Sequence, residues 1–371
     1  MYHQNIAKQF TYFSLILLLV STVYNCKNVE DKKSSDPKAE TKAEPTSKVE
    51  TPEGMIWVEK KTFLQGAKDT DNYAMPREKP AHWVTVDGFF IDIIEVTNKQ
   101  FKAFVEATNY ITIAEREIDW EDIKKELPPN TPKPHDSILQ PGSLIFNKDV
   151  NAVVNMENYG QWWTWKIGAN WRHPDGPEST IEGKDDYPVV HVAYQDAIAY
   201  CEWANRRLPT EAEWESAAQG KNTNTIFTWG NDAAKLDANA NTWQGVFPTN
   251  NASQDGFEFI SPVKSYPPNS IGLYDMAGNV WEMTSDFFNV KYYSELDTSQ
   301  PIVNPKGADT HFNPNNPYQI EHVMKGGSFL CHASYCASFR ISAKMGVSVD
   351  SGSDHMGFRT VATPQMLASN E

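Results

Sequence analysis

The chain has 371 residues, and its 33 Lys and Arg stand against 48 Asp and Glu, a net charge of −15. An acidic chain without a basic stripe has nothing to hold a phosphate backbone, which excludes a nucleic-acid partner. Hydrophobic residues make up 40% and aromatics 12%, enough for a sizeable core, so a wholly disordered chain is excluded, and so is a multi-span membrane protein.

The first 26 residues read as a signal segment. Lys8 supplies a positive charge, and FSLILLLVSTV at 13–23 is an apolar run too short to span a bilayer but suited to a signal core. Cys26 closes it, ahead of a polar tract, 27–53, with six Lys, seven acids, three Pro and no aromatic residue. Such a tract cannot bury enough apolar area to order itself and reads as a flexible tether. A cysteine in that setting resembles a bacterial lipoprotein, acylated at Cys26; an ordinary cleaved signal is the alternative, because Val23-Tyr24-Asn25 is a poor small-residue box. Either way the chain is expected to be exported, to the periplasm or the cell surface, and to touch a membrane only through that anchor.

From Gly54 the composition changes, and 54–363 reads as one domain followed by a short C-terminal tail, 364–371. HWVTVDGFFID (82–92) alternates as strands do. TNKQFKAFVEAT (97–108) predicts a helix capped by Thr97, with Phe101, Phe104 and Val105 on one face. YPVVHVAY (187–194) predicts another strand, and YQDAIAYCEWAN (194–205) a second helix burying Ala197, Tyr200, Cys201 and Ala204. A third helix starts at Thr210, answered by Glu213 three residues on. The stretches 115–187 and 221–270 show no periodicity, which predicts an irregular fold pinned by ions or aromatic packing.

The four cysteines, Cys26, Cys201, Cys331 and Cys336, are too few for a disulfide scaffold. The C-x4-C spacing of Cys331 and Cys336 is not a zinc clip, since no second ligand pair exists. Taken alone it fits a local disulfide in an oxidising compartment.

Several segments together resemble the formylglycine-generating enzyme (sulfatase-modifying factor) family: GMIWVEKKTFLQG (54–66), GANWRHPDGPES (168–179), RRLPTEAEWESAAQG (206–220), NTWQGVFPTNNASQDGF (241–257), GLYDMAGNVWEMTSD (272–286), KGGSFLCHASYCASFR (325–340) and HMGFRTV (355–361). They follow the family order across nearly all of 54–361. The resemblance implies an α+β fold with little regular secondary structure, similar to C-type lectins. It implies an oxidase that converts a cysteine in a sulfatase C-x-P-x-R segment to formylglycine with O2, acting as a monomer. The alternative within the same fold is a non-catalytic structural or adhesion lipoprotein, as in gliding-motility machinery. Silent members lack the cysteine pair that stands here in GGSFLCHASYC.

By the same resemblance Cys331 and Cys336 are catalytic and hold Cu(I). Two sulfurs without a carboxylate form a soft donor set that favours Cu(I) over Mg, Ca or Mn. Ser328 and Trp281 match residues that line the oxygen pocket. His332, Tyr335 and Arg340 stand nearby, and Glu95 matches a family acid of unassigned role. Two structural calcium sites are implied. One uses the side chains of Asn241 and Asp255 with the Thr242 and Phe257 carbonyls. The other uses the side chains of Asp275 and Glu282 with the Gly278 and Val280 carbonyls. Animal members bridge the position of Cys201 to a cysteine that here is Thr360, so Cys201 is expected as a buried free thiol.

Overall fold

The computed structural model describes residues 50–368; the signal segment, Cys26 and most of the tether lie outside the described residues. The chain begins with β1 (Met55–Val58) and β2 (Lys61–Gln65), then β3 (His82–Val86) and β4 (Phe89–Asp92). The 82–92 run therefore holds two strands, broken at Asp87-Gly88. Gly88 is required there, because a Cβ would lie 2.1 Å from the Trp57 ring. Strand β2 pairs antiparallel with β3, and the period of two puts Phe63, Val84 and Val86 inside while Thr62 and Trp83 face out.

Helix α1 (Asn98–Thr108) starts at a reciprocal cap: Thr97 Oγ1 accepts from Gln100 N at 3.3 Å, and Gln100 Oε1 accepts from Thr97 N at 2.9 Å. It buries Phe101, Phe104 and Val105, and left-handed Asn109 ends it. The 115–187 stretch is less irregular than its composition suggests. It contains a hairpin of β5 (Gly142–Phe146) and β6 (Trp163–Ile167), in register from Gly142↔Ile167 to Phe146↔Trp163.

The expected strand at 187–194 does not form. His191 takes a left-handed backbone (φ 59°), which stops any ladder, and the segment makes single backbone bonds to Val96 and Ser353 instead. Helix α2 (Tyr194–Trp203) follows, its first turn held by Asp196 Oδ2 accepting from Ala193 N at 2.8 Å. Helix α3 (Glu211–Gln219) carries the Thr210/Glu213 capping box, and Arg207 clamps Glu213 through two 2.6 Å bonds.

The second half builds β7 (Trp281–Phe287), β8 (Ile302–Val303), β9 (Glu321–Lys325), β10 (Met345–Ser348), β11 (Met356–Gly357) and β12 (Val361–Ala362). One sheet runs β10-β9-β7-β11; β1-β4-β12 and β8-β3-β2 form two separate three-stranded sheets. Residues 364–368, expected as tail, form helix α4 (Pro364–Ala368). Leu367 packs against Met55, Phe90 and Ala362, and Met366 O accepts from Asn205 Nδ2 at 2.8 Å.

The main core joins α1 and α2 to the long sheet through Phe101, Phe104, Trp171, Tyr200, Trp281 and Phe358. Cys201 sits in it as a buried free thiol, as expected. Buried ion pairs pin elements a disulfide could otherwise join: Lys325 to Glu215 at 2.8 Å, Lys344 to Glu211 at 3.1 Å, and Arg340 to Asp71 at 2.6 Å and Glu78 at 2.7 Å.

Candidate functional site

Strand β9 delivers the chain into Gly326 and Gly327, both with positive φ. A Cβ on Gly327 would meet the Ser338 carbonyl carbon at 2.8 Å, so this crossing needs glycine. The chain then turns through Ser328 into a loop that returns by Arg340. Cys331 N donates to Ser328 O at 2.9 Å, Cys336 N to His332 O at 2.8 Å, and Trp243 N to Cys331 O at 3.1 Å. These bonds fix both cysteines with Cα atoms 5.1 Å apart, and their sulfurs are joined as a disulfide.

The two sulfurs differ in environment. Cys331 is 2% exposed and belongs to the main core, whereas Cys336 is half-buried. Ser328, fully buried, directs its backbone N–H at Cys331 Sγ over 3.4 Å, and its Oγ accepts from Leu330 N at 3.3 Å. Trp281 is buried in the same core cluster as Cys331, held on β7 by N–H donation to His355 O at 2.9 Å.

The other nearby candidates are tied up. His332 Nδ1 is engaged by Ser334 Oγ at 2.8 Å, and burial lowers the pKa of the ring. Arg340 is structural: it binds the Ala337 carbonyl at 2.8 Å and the carboxylates of Asp71 and Glu78, which ties the cysteine loop to the segment before β3.

Tyr335 stacks on Phe247 at 4.6 Å and meets Trp162 edge-on at 5.8 Å, forming an aromatic collar beside Cys336. Sequence reasoning missed Phe247 and Trp162, which sit in the two aperiodic stretches; the Trp162-Trp163 doublet was the one available signal. Asp354 holds the hairpin behind the collar. Its Oδ2 accepts from Phe146 N at 2.8 Å, while Oδ1 is buried without a hydrogen bond, 3.8 Å from His355 Nδ1.

Burial is the main cause that pushes Asp354 up to about 7. The folded state then keeps a proton that the unfolded state releases near pH 4, so this group lowers stability as pH rises from about 4 to about 7. Asp354→Asn is expected to gain on the wild type across that window, by on the order of 1 kcal/mol per pH unit. Urea denaturation at several pH values measures it, and a pH-independent difference would contradict it.

The oxygen-rich sets come together, back to back: a Cβ on Gly278 would lie 2.1 Å from Asn241 O, and Asn279 N donates to Asn241 O at 2.9 Å. In the first set, Gln244 Nε2 bridges Thr242 O at 2.6 Å and Asp255 Oδ2 at 2.7 Å. Phe257 meets Asp255 Oδ1 through its backbone N–H at 3.1 Å, and Asn241 Oδ1 is buried with no partner.

The second set departs from expectation. Glu282 gives Oε1 to Arg359 at 2.6 Å, and Oε2 to Arg359 at 2.6 Å and Trp214 Nε1 at 2.7 Å. It is an ion-pair anchor here, with little left for a cation. Asp275 Oδ1 and Glu95 Oε2 are buried without another donor, and a hydrogen bond between the two carboxyls is what is left to them. Val280, between Asp275 and Glu282 in sequence, is fully buried on the turn into β7.

Burial, then repulsion from Asp275, holds the Glu95 carboxyl well above its usual range, and burial raises Asp275 to about 6. Glu95, Asp275 and Glu282 thus face one cation, Arg359. Among the described residues no three His, Cys, Asp or Glu side chains converge as a metal cage. Backbone and amide oxygens would have to complete any hard-cation shell.

The model of the sulfatase-modifying factor enzyme 1-like domain matches residues 40–364. The chain belongs to the sulfatase-modifying factor family. It is 38% identical over 321 residues to the formylglycine-generating enzyme of Bos taurus, covering 86% of this chain and 77% of that protein. It is also 35% identical over 305 residues to the inactive C-alpha-formylglycine-generating enzyme 2 of Mus musculus, covering 81% of this chain and 83% of the relative. The solved structure of PvdO from Pseudomonas aeruginosa has the same fold, with a TM-score of 0.52 at 22% identity over 83% of this chain and 93% of that one. The α+β, helix-poor architecture is thus that of the family. The relatives thus include proteins named as active and as inactive.

Proposed function

We propose that this member of the sulfatase-modifying factor family oxidises a cysteine in a sulfatase C-x-P-x-R segment to formylglycine, with Cu(I) held by Cys331 and Cys336. The observation that carries the reading is the loop itself: two sulfurs on a rigid turn, one buried and one reachable, with no carboxylate between Ser328 and Arg340. That donor set fits a soft monovalent ion and leaves room for a third sulfur. Bound copper would supply dioxygen activation at the substrate thiol.

The chain's own residues do the positioning. A thiol of the substrate polypeptide reaches half-buried Cys336, while the Ser328 N–H supports the charge on Cys331 sulfur. The Ser328 hydroxyl accepts from Leu330 and keeps its own proton to donate. Trp281 gives the site an apolar wall, and Tyr335, Phe247 and Trp162 form an aromatic rim beside Cys336. The substrate carbon gives up two electrons and dioxygen takes four on the way to water, so a thiol reductant supplies the other two; water then supplies the aldehyde oxygen and the substrate sulfur leaves as sulfide.

Reduced protein is expected to bind one Cu(I) against a competing chelator and to lose that binding in Cys331→Ser. A pair that stays oxidised under mild thiol and takes no copper would favour the non-catalytic lipoprotein instead.

Calcium is proposed for the two oxygen-rich sets, supported by the orphaned oxygen of Asn241 and the buried carboxyls of Asp275 and Glu95. A divalent ion there would balance the acid surplus around Arg359. Calcium at about a hundredfold over Kd would add roughly 2.7 kcal/mol to stability. Chelator should therefore lower the melting temperature; superimposable curves with and without it would contradict the proposal. Export with a lipid anchor at Cys26, and a monomeric state, complete the proposed picture.

A further inference from the structure

Next to the Arg340 clamp, a small cavity lies between the segment after β2, helix α3, and the chain at 225–226 and 341–342. Its volume, about 10 Å³, suits a single water-sized or monatomic guest. The carboxylates and the amide on its wall already have donors. Asp71 Oδ1 accepts from Tyr73 N at 3.0 Å and Oδ2 from Arg340 at 2.6 Å. Glu215 Oε1 accepts from Lys325 at 2.8 Å and Oε2 from Gly66 N at 3.1 Å. Gln219 Oε1 accepts from Lys61 at 3.3 Å.

Two donors on the same wall are left over. Lys68 Nζ and Thr225 Oγ1 are both buried with no hydrogen-bond partner. Glu215 and Asp71 act on Lys68 only through space, and their own charges are matched by Lys325 and Arg340. The ammonium of Lys68 therefore lacks a counter-ion of its own. Burial pushes it down to about 8, and burial with repulsion from Lys68 takes Lys61 to about 8 as well. A buried charge without a partner is costly, and two such lysines side by side mark a local surplus of positive charge.

We propose that this cavity binds a monatomic anion, chloride under ordinary conditions, between Lys68 Nζ and Thr225 Oγ1. Both groups donate, so the guest must accept, which excludes a metal cation. A water would accept from both and leave the ammonium charge unbalanced, whereas a halide turns it into a charge-assisted pair. Polyatomic anions exceed the space. Ile341 and Ser342 on the wall follow Arg340 directly, so the bound ion braces the chain where it leaves the cysteine loop. The site does not depend on the activity proposed above.

Thermal unfolding of the full chain in sodium chloride and in sodium gluconate, at equal ionic strength and constant calcium, tests it. Gluconate is too large to enter. Wild-type Tm should rise saturably with chloride, by about 2 °C at tenfold over Kd. The chloride-specific rise should vanish in Lys68→Met, and Thr225→Val should weaken chloride binding about tenfold. Comparing wild type with variant cancels general salt effects. Equal wild-type curves in the two salts would overturn the inference, and so would a rise kept in full by Lys68→Met. Should that variant fail to fold, a wild-type crystal soaked in bromide decides the matter. An anomalous peak between Lys68 Nζ and Thr225 Oγ1 would sustain the site, and a water in that place would overturn it.

Discussion

Cys331→Ser and Cys336→Ser are each expected to lower formylglycine formation by more than about a hundredfold, since each would remove a direct ligand of the proposed copper and even outer-shell losses cost 10–100-fold. The fold should survive both changes. The loop is held by backbone bonds from Cys331 to Ser328, from Cys336 to His332 and from Trp243 to Cys331, none of which needs sulfur. A serine oxygen is a hard donor and does not replace a thiolate on Cu(I). Mass spectrometry of a C-x-P-x-R peptide measures the loss, with circular dichroism as the folding control. Conversion by either variant at the wild-type rate would contradict the two-sulfur site.

Arg359→Met is expected to cost about 3–5 kcal/mol, the usual result of stripping one partner from a buried ion pair. Arg359 and Glu282 are 0% and 1% exposed. Arg359 also donates to Asp92 O at 3.1 Å and Tyr274 O at 2.8 Å, so its loss orphans two carbonyls as well. The remaining acids, Glu95, Asp275 and Glu282, would face one another without a cation. Calcium in excess should recover part of the lost stability if it occupies the oxygen-rich sets. Urea unfolding with and without calcium measures both effects; a loss under about 1 kcal/mol would mean that the pair is replaceable.

Local signals in the sequence were read well where they were local in the fold. The caps at Thr97 and Thr210 each sit three residues from their partners, so α1 and α3 were legible from spacing alone. What failed was set by distant contacts. The strand expected at 187–194 alternates correctly, but left-handed His191 ends it, and its bonds go to Val96 and Ser353 far along the chain. Strand β6 carries no inside–outside alternation because four of its five residues face solvent, so nothing in WTWKI marked it. The ion pair of Glu282 with Arg359 was not legible either, since the two lie 77 residues apart and only the fold brings them together. The proximity of Cys331 and Cys336 was legible because the glycine turn and both sulfurs fall within one short segment.

The most direct test is to incubate reduced, copper-loaded protein with a C-x-P-x-R peptide in air and thiol, and to read the peptide by mass. Oxidation to formylglycine replaces the thiol by an aldehyde, which an aldehyde-reactive probe then captures. The proposed function requires that product in the wild type, and requires its absence without oxygen. Recovery of unchanged peptide, or of peptide merely disulfide-linked to Cys336, would mean that the pair exchanges thiols without oxidising carbon, and would contradict the proposed activity.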